Sequence, residues 1–196
     1  MIEEWTESIQ NSDASTIVPK STGEKKGHQI KLYNMIFPIW LLWLIPIMWL
    51  IVLPANFLID LTVVVLTMKY LGIDDIKLHA KKVILRVWLL GFAADFIGTF
   101  CMFLVNIIDF DYQTPRGRWW YENLQNAVAY NPLENIYSFL WVVVCIMITS
   151  CCIYFFNLKF GLKKLPIEER QKHKLSLALA VFTAPYLFML PTAWFF

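Results

Sequence analysis

The sequence predicts an all-α fold, a polytopic membrane bundle of five transmembrane helices with a short interfacial helix in its outer loop. Three observations carry that expectation. Of the 196 residues, 58% are apolar and 16% are charged, where a soluble domain carries about 25% charged residues. The apolar residues lie in long runs and do not alternate with polar ones, and the mean hydropathy is +0.54, the pattern of membrane spans. Lysine and arginine fall in clusters between the runs, which sets an orientation.

Residues 1–30 are polar and short of aliphatic bulk, so they read as a flexible cytosolic tail. The acidic start (Glu3, Glu4, Glu7, Asp13) holds no apolar core of a signal peptide. Residues 31–196 form the transmembrane domain. Residues 36–71 are one apolar block, about 54 Å long as a single helix against a hydrocarbon core of about 30 Å. Leu53-Pro54-Ala55-Asn56 is the expected break, because proline disfavours helix at and before itself. The block then becomes a hairpin of helices 36–53 and 55–71.

Gly72 closes the second helix and Asp74-Asp75 open a third over 76–108, whose first turns are basic. The fourth helix spans 135–157. Pro166, Glu168 and Glu169 mark the start of a fifth over 166–195, with proline and acids at its positive end and kinks at Pro185 and Pro191. Between helices three and four, Trp120, Leu124, Ala127 and Val128 recur at helical spacing. That spacing predicts a short helix lying on the outer leaflet, with Trp119 and Trp120 in the headgroup layer.

Basic residues group before the first helix (Lys20, Lys25, Lys26, Lys31), around the second connection (Lys69, Lys77, Lys81, Lys82, Arg86) and around the fourth (Lys159, Lys163, Lys164, Arg170, Lys172, Lys174). The opposite face carries Arg116 and Arg118. Five crossings put all three groups on one side, so the expected location is the plasma (inner) membrane, with the N-terminus cytoplasmic and the C-terminus outside. A net charge of +2 gives no electrostatic support to a nucleic-acid partner. The partners implied are the lipid bilayer and a second membrane subunit, either a copy of the chain or a heteromeric partner.

Polar residues recur on one stripe of each helix. Asn56, Asp60 and Thr67 share a face; so do Gly91, Asp95, Gly98 or Thr99, Met102 and Asn106; so do Ser138, Cys145, Thr149 and Cys152; and so do His173, Ser176, Ala180 and Thr183. Lipid satisfies no polar group, so these stripes should face inward. An ionised Asp95 near mid-membrane costs on the order of 2.5–3.5 kcal/mol, and the nearest cation, Arg86, lies roughly 13 Å away along the helix. The carboxyl must be neutral, hydrogen-bonded or hydrated. Asp95, Asp60, Asn106, Asn56 and Thr99 are therefore the candidate site for an ion, a proton or a polar solute. Asp60 and Asn106 are expected towards the outer mouth, where Arg116 and Arg118 fold back on the acids.

The glycines are scattered and form no phosphate loop. His28, His79 and His173 lack a metal-ligand partner at usable spacing. No catalytic constellation, cofactor or metal site is expected. Two functions lead, ahead of a membrane enzyme as a third: a transporter, channel or membrane-embedded transport subunit handling a cation, proton or small polar solute; or a non-catalytic accessory protein (scaffold, assembly, immunity or sensor component) acting through a partner.

Overall fold

The computed structural model describes residue 47, residues 49–108 and residues 110–194. The expected cytosolic tail and the first part of the first helix lie outside these residues. The described residues are all-helical. α1 is Trp49–Tyr70, α2 is Ile76–Ile107, α3 is Pro115–Trp120, α4 is Ala127–Tyr130, α5 is Ile136–Phe156 and α6 is Glu169–Phe182. A π-helical segment, Tyr121–Asn126, joins α3 to α4; a second, Asn157–Gly161, extends α5; and two 3-10 turns, Tyr186–Met189 and Thr192–Trp194, follow α6. Three helices are long and apolar enough to cross a membrane: Trp49–Tyr70, Ile76–Ile107 and Ile136–Gly161.

The hairpin expected at Leu53–Asn56 does not form. α1 runs through Pro54 without interruption. Proline removes one N–H, so one carbonyl, that of Leu50, loses its helical partner. A tight hairpin would instead leave about four N–H and four C=O groups unpaired at new helix ends, among apolar side chains that satisfy none of them. The unbroken helix is the cheaper arrangement. Trp88 of α2 reinforces it, its indole Nε1 donating to Leu53 O at 3.1 Å. The expected helices 36–53 and 55–71 are thus, over the described residues, not the two arms of a hairpin: everything from Trp49 to Tyr70 is one helix.

The turn after α1 follows from its sequence. Gly72 takes a positive φ of 64°, Gly72 N donates to Lys69 O and Ile73 N donates to Met68 O. This is a glycine-closed helix end. Asp75 precedes α2 in a left-handed conformation without a side-chain capping bond, so it marks the start without bonding there as expected.

α6 is also shorter than the expected 166–195. It ends at Phe182, because Pro185 cannot donate to Val181 O. The Tyr186 hydroxyl takes over that carbonyl at 2.6 Å, and Thr183 Oγ1 donates to Leu179 O at 2.8 Å. At about 21 Å, α6 alone is too short to cross. The contrast with Pro54 is one of position. Pro54 lies in the second turn of its helix, whereas Pro185 is followed six residues later by Pro191, and between them only a 3-10 turn, Tyr186–Met189, forms and no α-helix.

α1, α2, α5 and α6 close a four-membered ring, with contacts α1–α2, α2–α5, α5–α6 and α6–α1. Two apolar clusters fill it. One gathers Val64, Met68, Val83, Val87, Ile153, Leu175 and Leu179. The other gathers Met102, Val142, Cys145, Ile146, Ala184 and Phe188. Between the clusters, α2 places buried Asp95 and Thr99, and α5 places buried Thr149. The ring interior is therefore apolar, polar, then apolar along its length. Outside, the helices are greasy: of the most apolar window of α1, 11% is buried, and Leu66, Leu85, Phe100 and Met147 are exposed. An apolar exterior of that extent is ordinary for a surface bathed in lipid.

Candidate functional site

Asp60 and Asp95 meet at one cavity. It holds about 350 Å³ and is lined by Asn56 and Asp60 of α1, Trp88, Gly91, Phe92 and Asp95 of α2, and the stretch from Phe182 to Leu187 with Leu190. Each helix delivers its residues by simple periodicity. Asn56 and Asp60 are four apart; Trp88, Gly91 or Phe92, and Asp95 are spaced three or four apart; both sets share one face. Both carboxyl residues are buried, at 6% exposure for Asp60 and 5% for Asp95.

Glycine sets the distance between the helices. A Cβ on Gly91 would lie 3.5 Å from Asp60 Oδ2, which puts the Asp60 carboxyl against α2 one turn before Asp95. Residues four apart on a helix have Cβ atoms about 5–6 Å apart, so the two acids are near neighbours. Aromatic edges lock the same interface. Phe57 meets Trp88 at 5.9 Å and Trp49 meets Phe92 at 6.0 Å across it, and Phe92 meets Phe96 of its own helix at 4.9 Å, all edge-to-face.

The cavity is rich in acceptors and poor in free donors. Trp88 Nε1, Thr183 Oγ1 and the Tyr186 hydroxyl are each committed to a backbone carbonyl. Asp95 Oδ1 is buried with no hydrogen-bond partner among the described residues. A buried acceptor left unpaired is costly, and this one belongs to a side chain that lines the cavity.

Other expected site residues lie elsewhere. Thr99 is buried with its Oγ1 unpartnered, but belongs to the polar layer next to the cavity and not to its wall. Asn106 is half-buried and follows Asp95 by about 16 Å along α2. Because Asp60 packs beside Gly91, it lies on the far side of Asp95 from Asn106. The expected shared mouth of Asp60 and Asn106 is therefore corrected: α1 reaches α2 one turn before Asp95, a register that the assumed hairpin had displaced.

Arg116 and Arg118 form no ion pair with Asp60, Asp95 or Asp111 among the described residues, and Asp109 lies outside them. The described residues hold one ion pair, Lys172 with Glu169 at 2.8 Å. Arg118 sits over the Tyr112 ring at 5.9 Å, and Asp111 Oδ1 accepts from Gln113 N within its own turn. Thr114 caps the segment that follows, accepting from Gly117 N with Pro115 at the first position. Residues 115–130 are helical throughout. Their tryptophans staple the helix ends: Trp120 Nε1 donates to Val105 O, one of the last carbonyls of α2, at 3.3 Å, and Trp119 meets Tyr137 of α5 edge-on at 5.0 Å. These contacts make the pair structural anchors.

Trp88, Tyr186 and Pro185 line the cavity without having been singled out as site residues. Trp88 had a signal, seven residues before Asp95 on the same face. Pro185 and Pro191 had another, since paired prolines in an apolar segment expose backbone that must line a cavity or pack against protein. No protein-family model, no curated protein and no solved structure matches the chain.

Proposed function

We propose that the chain is a multi-pass integral membrane protein that handles a cation, proton or small polar solute within its bundle, as a transporter, channel or transport subunit of the plasma membrane. One observation supports this most: two carboxyl residues from different helices line one cavity beside a broken helix, and Asp95 Oδ1 there lacks a partner. Carboxylates inside a membrane bundle commonly mark ion or proton paths, and discontinuous helices commonly carry the site.

In this reading α1, α2 and α5 cross, and α6 with its two 3-10 turns forms a broken fourth crossing. Lys69–Arg86 and Lys159–Lys174 then share the cytoplasmic end. The packing supports that grouping, since Gln171 Nε2 donates to Leu71 O at 3.4 Å and joins the two connections. Trp194 falls at the outer end.

The test is flux. Full-length protein in liposomes, under an imposed potential, should move protons or small cations. Asp95→Asn and Asp60→Asn should each lower the rate about tenfold or more while the protein elutes as folded, roughly the worth of one charged hydrogen bond. Wild-type rates in Asp95→Asn, with Asp95→Leu merely unstable, would make the acid a packing group. A groove of about 760 Å³ between α1 and α6, walled by Val63, Leu66, Leu177, Val181 and Phe182, favours a second reading, an accessory protein that seats a membrane partner. Co-purification of a stoichiometric partner without crosslinker, together with flux-neutral acid variants, would select it.

A further inference from the structure

We infer that the ligand of the Asp60–Asp95 cavity is a small organic ammonium, with its N–H groups between the two carboxylates and a short apolar body against the rings of Trp88, Phe92 and Tyr186. The inference rests on the reading of this cavity as a site for a cation or polar solute, and narrows it.

The hydrogen-bonding balance of the wall comes first. Its Trp, Thr and Tyr donors are already bound to Leu53 O, Leu179 O and Val181 O. What faces the space is the carboxyls of Asp60 and Asp95 and the amide of Asn56. A ligand that accepts hydrogen bonds finds few donors there; a ligand that donates several meets acceptors. A primary ammonium carries three N–H donors and a charge opposite to the acids. The Asp95 side chain, which lines the cavity and keeps one buried oxygen without a partner among the described residues, is the acceptor group it would engage.

The shape and lining come second. About 350 Å³ is at the lower end of small-molecule sites and far larger than a bare ion needs. A hard divalent cation takes six or more oxygens at fixed distances, whereas no group of three His, Cys, Asp or Glu able to hold a metal occurs among the described residues. Most of the wall is apolar or aromatic. Ring faces attract organic cations by their quadrupoles and accept the hydrocarbon body that a hydrated metal ion lacks.

The experiment uses full-length protein in nanodiscs and radiolabelled benzylammonium, with empty nanodiscs subtracted. Saturable binding is expected. Unlabelled benzylammonium should displace it, while sodium, potassium and magnesium chlorides and the neutral analogue benzyl alcohol should not at equal concentration. Asp95→Asn and Asp60→Asn, checked for folding by size-exclusion and circular dichroism, should each weaken binding about tenfold or more. Displacement by benzyl alcohol as effective as by benzylammonium would overturn the inference, since the site would not read charge. Acid-dependent flux of inorganic ions or protons without any benzylammonium binding would also overturn it, yet leave the broader cation reading standing. Unchanged flux and unchanged binding in both folded Asp→Asn variants would sink both.

Discussion

Replacing Gly98 by alanine should destabilise the bundle through a clash that one further substitution relieves. Gly98 lies on α2, one turn past Ala94, where small residues let helices approach. A Cβ built there runs into Thr149 Oγ1 of α5 and lies 3.0 Å from Phe188 Cε2 and 3.3 Å from Thr149 Cβ. Two neighbours from two elements close on the same spot, so no single rotamer change clears it. Overpacking a filled interior costs about 1–3 kcal/mol, and the better helix propensity of alanine returns about 1 kcal/mol at most. A net loss of roughly 1–2 kcal/mol is expected. Thr149 Oγ1 donates within its own helix, to Cys145 O at 2.8 Å, so trimming it leaves a carbonyl that keeps its helical bond. Thr149→Ala should therefore rescue Gly98→Ala, with a coupling of about 1 kcal/mol or more in a double-mutant cycle. Unfolding in mixed micelles of mild detergent and dodecyl sulfate, followed by circular dichroism, measures all four proteins. Wild-type stability of Gly98→Ala, or a loss that Thr149→Ala leaves untouched, would refute the packing of α2 on α5 described here.

Tyr186→Phe should cost about 1–3 kcal/mol, because it strips Val181 O of the hydroxyl that replaces the missing Pro185 amide; the same unfolding assay reads it, and a neutral result would mean that the carbonyl finds another donor. Trp120→Phe keeps the ring against Phe110, at 5.2 Å, but loses the bond to Val105 O, so about 1 kcal/mol should go and amide exchange should quicken at the C-terminal turn of α2. Lys172 beside Glu169 holds that carboxyl below its ordinary 4.5 through a hydrogen bond and its charge. A depressed acid contributes stability above 4.5 that is lost as the pH falls through its lower folded value, but the Glu169 carboxyl is exposed and the interaction is solvent-screened. Glu169→Gln should thus leave the pH dependence of unfolding unchanged, and a clear shift near pH 4 would give the pair more weight than its exposure allows.

Much of the fold was legible because long apolar runs follow simple rules. The long apolar runs at 76–108 and 135–157 became α2 and α5 within a residue or two. Gly72 closed α1 where a left-handed residue was needed, and Glu168 preceded α6 with its N–H bonded to Gln171 Oε1. The proline rule failed at Pro54, since a proline's local penalty is one bond and the alternative was an exposed pair of helix ends. At Pro185 and Pro191 the same rule was underused, because a kink was expected where the helix stops altogether. Local propensity alone does not separate these cases; the number of backbone groups left unpaired does.

The candidate site was half legible for the same reason. Asp60 and Asp95 were found from stripes on individual helices, which depend on 3.6-residue periodicity alone. Which stripe meets which depends on register between helices, and a sequence without repeats or cysteine links carries little of that. The register became visible through Gly91, whose missing side chain admits Asp60 Oδ2 to α2, and through Trp88, whose indole reaches Leu53 O. Those contacts bring Asp60 to the level of the turn before Asp95 and leave Asn106 outside the cavity. They also explain how α1 tolerates proline at 54: the turn that proline interrupts is gripped by Trp88 at Leu53 O, three and seven residues before Asn56 and Asp60, so the helix is held from outside where its own ladder is weakest and the two polar residues still line the cavity.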